Sequence, residues 1–551
     1  MPACAGYVRY DRVHTSPKCR EVCPALLVQR VVGSVEENSH CRRCAGCGVW
    51  KAFCSLSMSN RYTRTISQTA KLQMTLLRIS VLPVLAALTL PVAGAVSDDA
   101  HHIANIEKGL RPAQALLGTP VPLSTITDEM RRLHVPGLSI AVIDGGRLAW
   151  AKGYGVTGPS GAPVTPETLF QAASISKPVA ALGAMTMVQS GELKLYADIN
   201  SQLRTWKLPE APGKKPVSLL QLLSHTGGLN VSGFPGYAQG DAVPTLLQVL
   251  DGTAPAKTAP IRAASSPGSG WQYSGGGYTV LQQLVTDVSS QGFDVVMRAR
   301  VLTPFGMISS SFSQPASAII LKQAALPHDS TGKPYAGGPS TYPELAAAGM
   351  WTTPSDLARF VIGVQAAAAG HSKVLSQANA RKMLTPVRND YALGFEMAGS
   401  GDAISFAHGG SNRGYQNYLF GYVDSGRGAV VMTNGDAGDE VARATIRAIA
   451  AEYGWPSYQT VMRAAQPIDP KMAQQMTGKY AIAGLGDFDI TLQDGQPIFW
   501  IKPGQGEPLY RGSETHFFVL SQKLELSFDA LPGDTGRIVA GPFDVRFKRV
   551  H

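Results

Sequence analysis

Ser174 and Lys177, in "QAASISKPVAAL", are the residues of this chain best suited by type and spacing to covalent chemistry. Serine attacks a carbonyl only if its proton has somewhere to go and the developing oxyanion is held. On a helical turn, residues i and i+3 share a face, so Lys177 can approach the Ser174 hydroxyl. A lysine held in a dry site binds its proton less tightly, because burial disfavours the charged form. Such a lysine can accept or relay the serine proton. The same spacing recurs at Ser330 and Lys333, but Ser330-Thr331-Gly332-Lys333-Pro334 reads as a turn with no helix to fix the pair. "GHSKV" at Gly370–Val374 approaches a G-x-S-x-G nucleophile elbow, yet it lacks the last glycine and a strand leading into it.

Three further stretches give the pair a context. "WQYSGGGYTVLQQLV" places Tyr273 in a glycine-rich loop before a helix. "LLSHTGGL" carries His225, read as a structural histidine that caps or braces a loop. "FAHGGSNRGYQNYLFGYV" places His408-Gly409-Gly410 at the edge of a strand. Together with "ASISK" and "AAAGMWTTPSDLARF", in this order, the chain resembles the β-lactamase-related serine hydrolases. That family covers penicillin-binding proteins, class C β-lactamases, family VIII esterases and D-aminopeptidases. The resemblance spans about 124–455.

The resemblance implies acylation of Ser174 followed by hydrolysis, with Lys177 and Tyr273 sharing the work of general base as one coupled pair. It places oxyanion donors at the backbone N–H groups of Ser174 and Ser411, and substrate binding along His408, Gly409, Gly410 and Ser411. It calls for no metal and no cofactor. Two positions depart from the family pattern. The usual Y-x-N reads Tyr273-Ser274-Gly275, and the usual K-T-G reads His408-Gly409-Gly410, an H-x-G variant. An asparagine at 275 could bond an acylamino group, and a lysine at 408 would be a permanent cation. Gly275 has no side chain, and His408 is mostly neutral above about pH 6.5. The expected substrates are therefore small uncharged esters or neutral amides, ahead of β-lactams. The alternatives are a D-amino-acid peptidase, a weak β-lactamase, and two non-enzymes: a penicillin-binding receptor that is acylated without turnover, and an interaction protein working through its C-terminal domain.

The elements that must hold these residues are legible as well. "LSIAVIDGGRLAWAKGYG" (138–155) predicts a hairpin turning at Asp144-Gly145-Gly146. Residues 174–190 predict a helix that is apolar on every side and therefore buried, with Gly191 closing it. Pro178 removes a donor that a regular helix would aim at the Ser174 carbonyl, so the Ser-x-x-Lys turn is expected to be irregular. Tyr278–Ser289 predicts another helix. So does the run after Thr353, with Thr353 as N-cap and Pro354 first. "NYLFGYV" and "GAVVMTN" read as strands, and Asp436–Tyr453 as an amphipathic helix closed by Gly454. Strands at both ends with helices between predict an α+β fold, with one sheet built from both termini and a helical region inserted; the resemblance implies the β-lactamase/transpeptidase type, an antiparallel sheet flanked by helices plus a helical subdomain. Residues 455–472 read as a linker. Beyond it the period becomes two (Phe488/Ile490/Leu492, Ile498/Trp500, Leu524/Leu526/Phe528, Phe543/Val545/Phe547), which predicts a small all-β domain; the resemblance implies that it is barrel-like.

The formal net charge of +10 does not point to nucleic acid. The first 95 residues hold 12 Lys and Arg against 4 Asp and Glu, leaving 37 against 35 in the other 456. All seven cysteines fall there too, between Cys4 and Cys54. The C-x-x-C-x-x-C run from Cys41 has metal-binding spacing, but "MTLLRISVLPVLAALTLPVAGAVSDDA", beginning at Met74, has the form of a secretory signal with an A-x-A site before Val96. Residues 1–73 are thus read as a mis-called extension and 74–95 as the signal. The hydrolase domain is placed at 96–465 and the β domain at 466–551. The expected mature protein is secreted or periplasmic and has no stable membrane span after cleavage. Its expected partner is a small ester, amide or peptide.

Overall fold

The computed structural model describes residues 98–550, apart from 483–485, 503–504, 521–523, 532 and 541–542. The extension, the signal segment, the site before Val96 and every cysteine lie outside the described residues.

The first hairpin is β1 (Gly137–Asp144) and β2 (Arg147–Gly155). Then come helix α1 (Ser176–Gln189), α2 (Gly275–Ser289), the short α3 (Leu345–Ala348) and α4 (Pro354–Ala368). The chain returns to the sheet with β3 (Glu396–Ala398), β4 (Ser405–Asn412), β5 (Tyr415–Tyr422) and β6 (Gly428–Thr433), and α5 (Gly438–Glu452) follows. The six strands form one antiparallel sheet in the order β2-β1-β6-β5-β4-β3, so both ends of the domain build it and the helical region is an insertion.

Both faces of the sheet are covered. Leu419 and Val430 face a large core shared with α1, α2 and α4, whereas Tyr418, Phe420 and Val431 face α5. This is why β1 is buried along nearly its whole length rather than alternating. A fully buried leucine-sized side chain contributes about 1.5–3 kcal/mol. The two layers of core are therefore what hold the sheet rigid beneath the site.

Three predicted boundaries moved. Residue 174 lies ahead of α1, in a 3₁₀ turn over Ala173–Ile175. Pro178 is the third residue of α1, where its missing N–H would have no helical partner anyway. α2 starts three residues early, at Gly275. Its glycines are poor helix formers, but the Ser274 side chain caps them by accepting the Gly277 N–H at 3.0 Å. His408 sits in the middle of β4, not at a strand edge.

The expected linker is partly structured. Trp455 is buried under α5, Val461–Arg463 pairs in parallel with Gln114–Leu116, and Pro470–Met476 is a short helix capped by Asp469. After it comes a nine-stranded antiparallel, barrel-like sheet around its own core of Tyr480, Phe488, Ile490, Phe517, Leu526 and Phe547 among others. One alternation was read a residue out of phase. Phe499 faces this core because it stands opposite Ile490 across the ladder, while Trp500 is half-buried.

Candidate active site

The backbone delivers Ser174 by a strained turn. Ala173, just before it, has φ +53°, a left-handed conformation that costs a residue with a Cβ about 1–2 kcal/mol. Neighbouring contacts hold the turn in place. The Ala172 N–H donates to the Met350 carbonyl at 2.8 Å, and the Met350 N–H donates to Ser176 Oγ at 3.1 Å. Strand β4 presses against the turn's other side. A Cβ at Gly410 would lie 2.2 Å from the Ala172 carbonyl oxygen, so only glycine allows this approach.

Lys177 is 2 % exposed. Its ammonium nitrogen lies 3.0 Å from Ser174 Oγ and 2.8 Å from the Ala347 carbonyl oxygen, at the end of α3. Burial pushes its pKa down from an ordinary 10.5 to about 7. The Tyr273 ring centroid is 4.9 Å from the same nitrogen. Burial holds the Tyr273 hydroxyl well above its usual range, and hydrogen bonding with Ser174 pulls it partly back. Serine, lysine and tyrosine therefore meet, and the coupled pair has a lysine poised to lose its proton near neutrality.

His408 lies beside them with both ring nitrogens engaged. Nδ1 donates to the Gly409 carbonyl at 2.6 Å, which leaves Nε2 to accept from the Tyr391 hydroxyl at 3.1 Å. Burial, then the Lys177 charge, pushes its pKa down to about 3. It is a neutral imidazole with no free nitrogen for a substrate. Gly409 and Gly410 give β4 a smooth edge. Ser411 follows them with an exposed side chain whose Oγ accepts from Gln416 Nε2 at 2.9 Å. Along β4 the β3 strand pairs with Ser405–Ala407, so it does not extend along this stretch.

His225 braces the tyrosine loop. Its Nδ1 accepts the Ser274 N–H at 3.1 Å, and its ring centroid is 4.4 Å from that of Tyr273. No motif pointed to the Ala347 carbonyl, which acts through backbone alone. Nor did any single out Tyr391, 17 residues before its partner His408. The rival Ser330 and Lys333 are both exposed, in a turn closed by an Asp329 N–H to Lys333 carbonyl bond. Among the described residues there is no cluster of three metal-ligating side chains.

The order of these parts along the chain is matched by a family model described as Beta-lactamase, over residues 124–453. The chain belongs to the beta-lactamase family. It is 28% identical over 330 residues to "Penicillin-binding protein 4" of Amycolatopsis lactamdurans, covering 55% of this chain and 81% of that one. It is 31% identical over 241 residues to a "Beta-lactamase" of Pseudomonas fluorescens (43% and 62%). It is 30% identical over 204 residues to "Esterase EstB" of Burkholderia gladioli (34% and 50%). Among solved structures, the octameric penicillin-binding protein homologue from Pyrococcus abyssi superposes with a TM-score of 0.54 at 21% identity, covering 76% of this chain and 98% of that one. That likeness supports the beta-lactamase/transpeptidase-like fold. The family assignment makes this a serine-hydrolase-like protein whose relatives include esterases and penicillin-binding proteins.

Proposed function

We propose that the protein is an exported serine hydrolase that forms an acyl-enzyme on Ser174 and prefers small esters to β-lactams. The observation that carries this is the 3.0 Å approach of a buried, easily deprotonated Lys177 to Ser174 Oγ. Lys177, coupled to Tyr273, takes the serine proton as Oγ bonds to the substrate carbonyl carbon. The backbone N–H groups of Ser174 and Ser411 hold the oxyanion. The carbon–oxygen bond to the alcohol then breaks, and the alcohol leaves with the proton. Water attacks the acyl-serine by the same steps and releases the acid.

The ester preference rests on what the site lacks. His408 is neutral and internally bonded, so it supplies no cation for a substrate carboxylate. Gly275 supplies no side chain for an amide. The comparison to make is kcat/KM for p-nitrophenyl butyrate against a cephalosporin. The ester should be favoured by a wide margin, and a preference for the cephalosporin would remove the basis for calling this protein an esterase.

A further inference from the structure

His225 is buried, and its backbone is left-handed, with φ +59°. The chain on either side holds it there. The Thr226 N–H donates to the Gln221 carbonyl at 3.0 Å, and the Gly268 N–H donates to the Thr226 carbonyl at 2.8 Å. The short helix just before it, Leu219–Leu223, is capped reciprocally by Ser218 and Gln221. From this fixed point His225 grips three consecutive residues. Its carbonyl accepts the Gln272 N–H at 2.9 Å. Its ring packs on that of Tyr273, with centroids 4.4 Å apart. Its Nδ1 accepts the Ser274 N–H at 3.1 Å.

Nδ1 can accept only while the ring is neutral. Burial, then the charge on Lys177, holds the imidazole well below its usual pKa. The ring proton therefore sits on Nε2, which finds no hydrogen-bond partner among the described residues. A left-handed backbone and an unpaired buried N–H are both costly, and a side chain that merely filled the core would need neither. We infer that His225 is a positioning residue for acyl transfer: it holds Gln272, Tyr273 and Ser274 in succession and so aims the Tyr273 hydroxyl at Ser174 and Lys177. This rests on the serine-hydrolase reading above.

The test is a double-mutant cycle with Tyr273, read as kcat and KM for p-nitrophenyl butyrate and accompanied by Tm. His225→Gly suits the left-handed backbone but removes the ring and Nδ1. It should lower kcat about 10²-fold, the scale expected when a reacting group is misplaced by about 1 Å. KM should stay the same, because a buried ring is not a substrate contact. His225→Asn also tolerates this backbone, and it keeps an acceptor close to where Nδ1 stands. It should recover much of the loss yet stay slower than wild type for want of the ring. If His225→Gly does not fold, His225→Asn carries the cycle. In the Tyr273→Phe background there is no hydroxyl to aim, so neither substitution should lower kcat further. Losses of equal size in both backgrounds overturn the assignment, and so does a folded His225→Gly with wild-type kcat. A wild-type protein that hydrolyses no ester and is never labelled at Ser174 by a fluorophosphonate overturns it differently, by removing the hydrolase reading beneath it.

Discussion

Lys177 must be neutral to take a proton from Ser174, and burial brings its pKa to about 7. Ester hydrolysis should therefore rise with pH across about 7 and then level off. Lys177→Ala and Tyr273→Phe should each cost about 10²-fold or more in kcat/KM, as expected for groups that handle protons. Stability should carry the same signature. Between about 7 and 10.5 the unfolded chain binds a proton at Lys177 that the folded chain does not, so folding gains as pH rises through that window. Lys177→Met removes the penalty. It should be more stable than wild type near pH 7, with the gap closing towards pH 10. Denaturant titrations of both proteins at several pH values check this, and a gap that does not depend on pH would contradict the assigned protonation.

At the scale of elements, the site depends on β4 lying against the turn that carries Ser174. Gly410→Ala places a Cβ on the Ala172 carbonyl and must push the two apart. A shift of about 1 Å in reacting groups can cost about 10²-fold. The variant should therefore label and turn over about 10²-fold more slowly, with circular dichroism showing the fold retained; wild-type rates would contradict this packing role. How much of this was legible in the sequence follows from what each residue acts through. Ser174, Lys177 and Tyr273 act through side chains set in recognisable motifs, and their elements carry caps and periodicities of their own. The Thr353 cap and the turn at Gly145 fell where the pattern put them because they are local. The Ala347 carbonyl and the Tyr391 bond to His408 depend on approaches between separate segments, and sequence periodicity carries no trace of these. The phase error at Phe499 has the same origin, since ladder register decides which face a short strand buries.

Across the whole molecule, the barrel-like sheet is fastened to the domain before it by polar contacts. Gln114 Nε2 donates to the Val519 carbonyl at 3.0 Å, and Arg463 bonds both Gln114 and Glu525. The excess of positive charge lies ahead of all this, in the first 95 residues. Expression from Met74 should yield an exported protein whose first residue is Val96, as N-terminal sequencing would show. A mature protein that keeps Cys41–Cys54 and binds stoichiometric zinc or iron would contradict the reading of that segment.

The central claim is that Ser174 is the nucleophile. Intact-protein and peptide mass spectrometry after reaction with a fluorophosphonate tests it directly, in the wild type, Ser174→Ala and Ser330→Ala. One adduct should form on Ser174 in the wild type and in Ser330→Ala, and none in a folded Ser174→Ala that has also lost ester hydrolysis. A folded Ser174→Ala that is still labelled and still hydrolyses esters would contradict it.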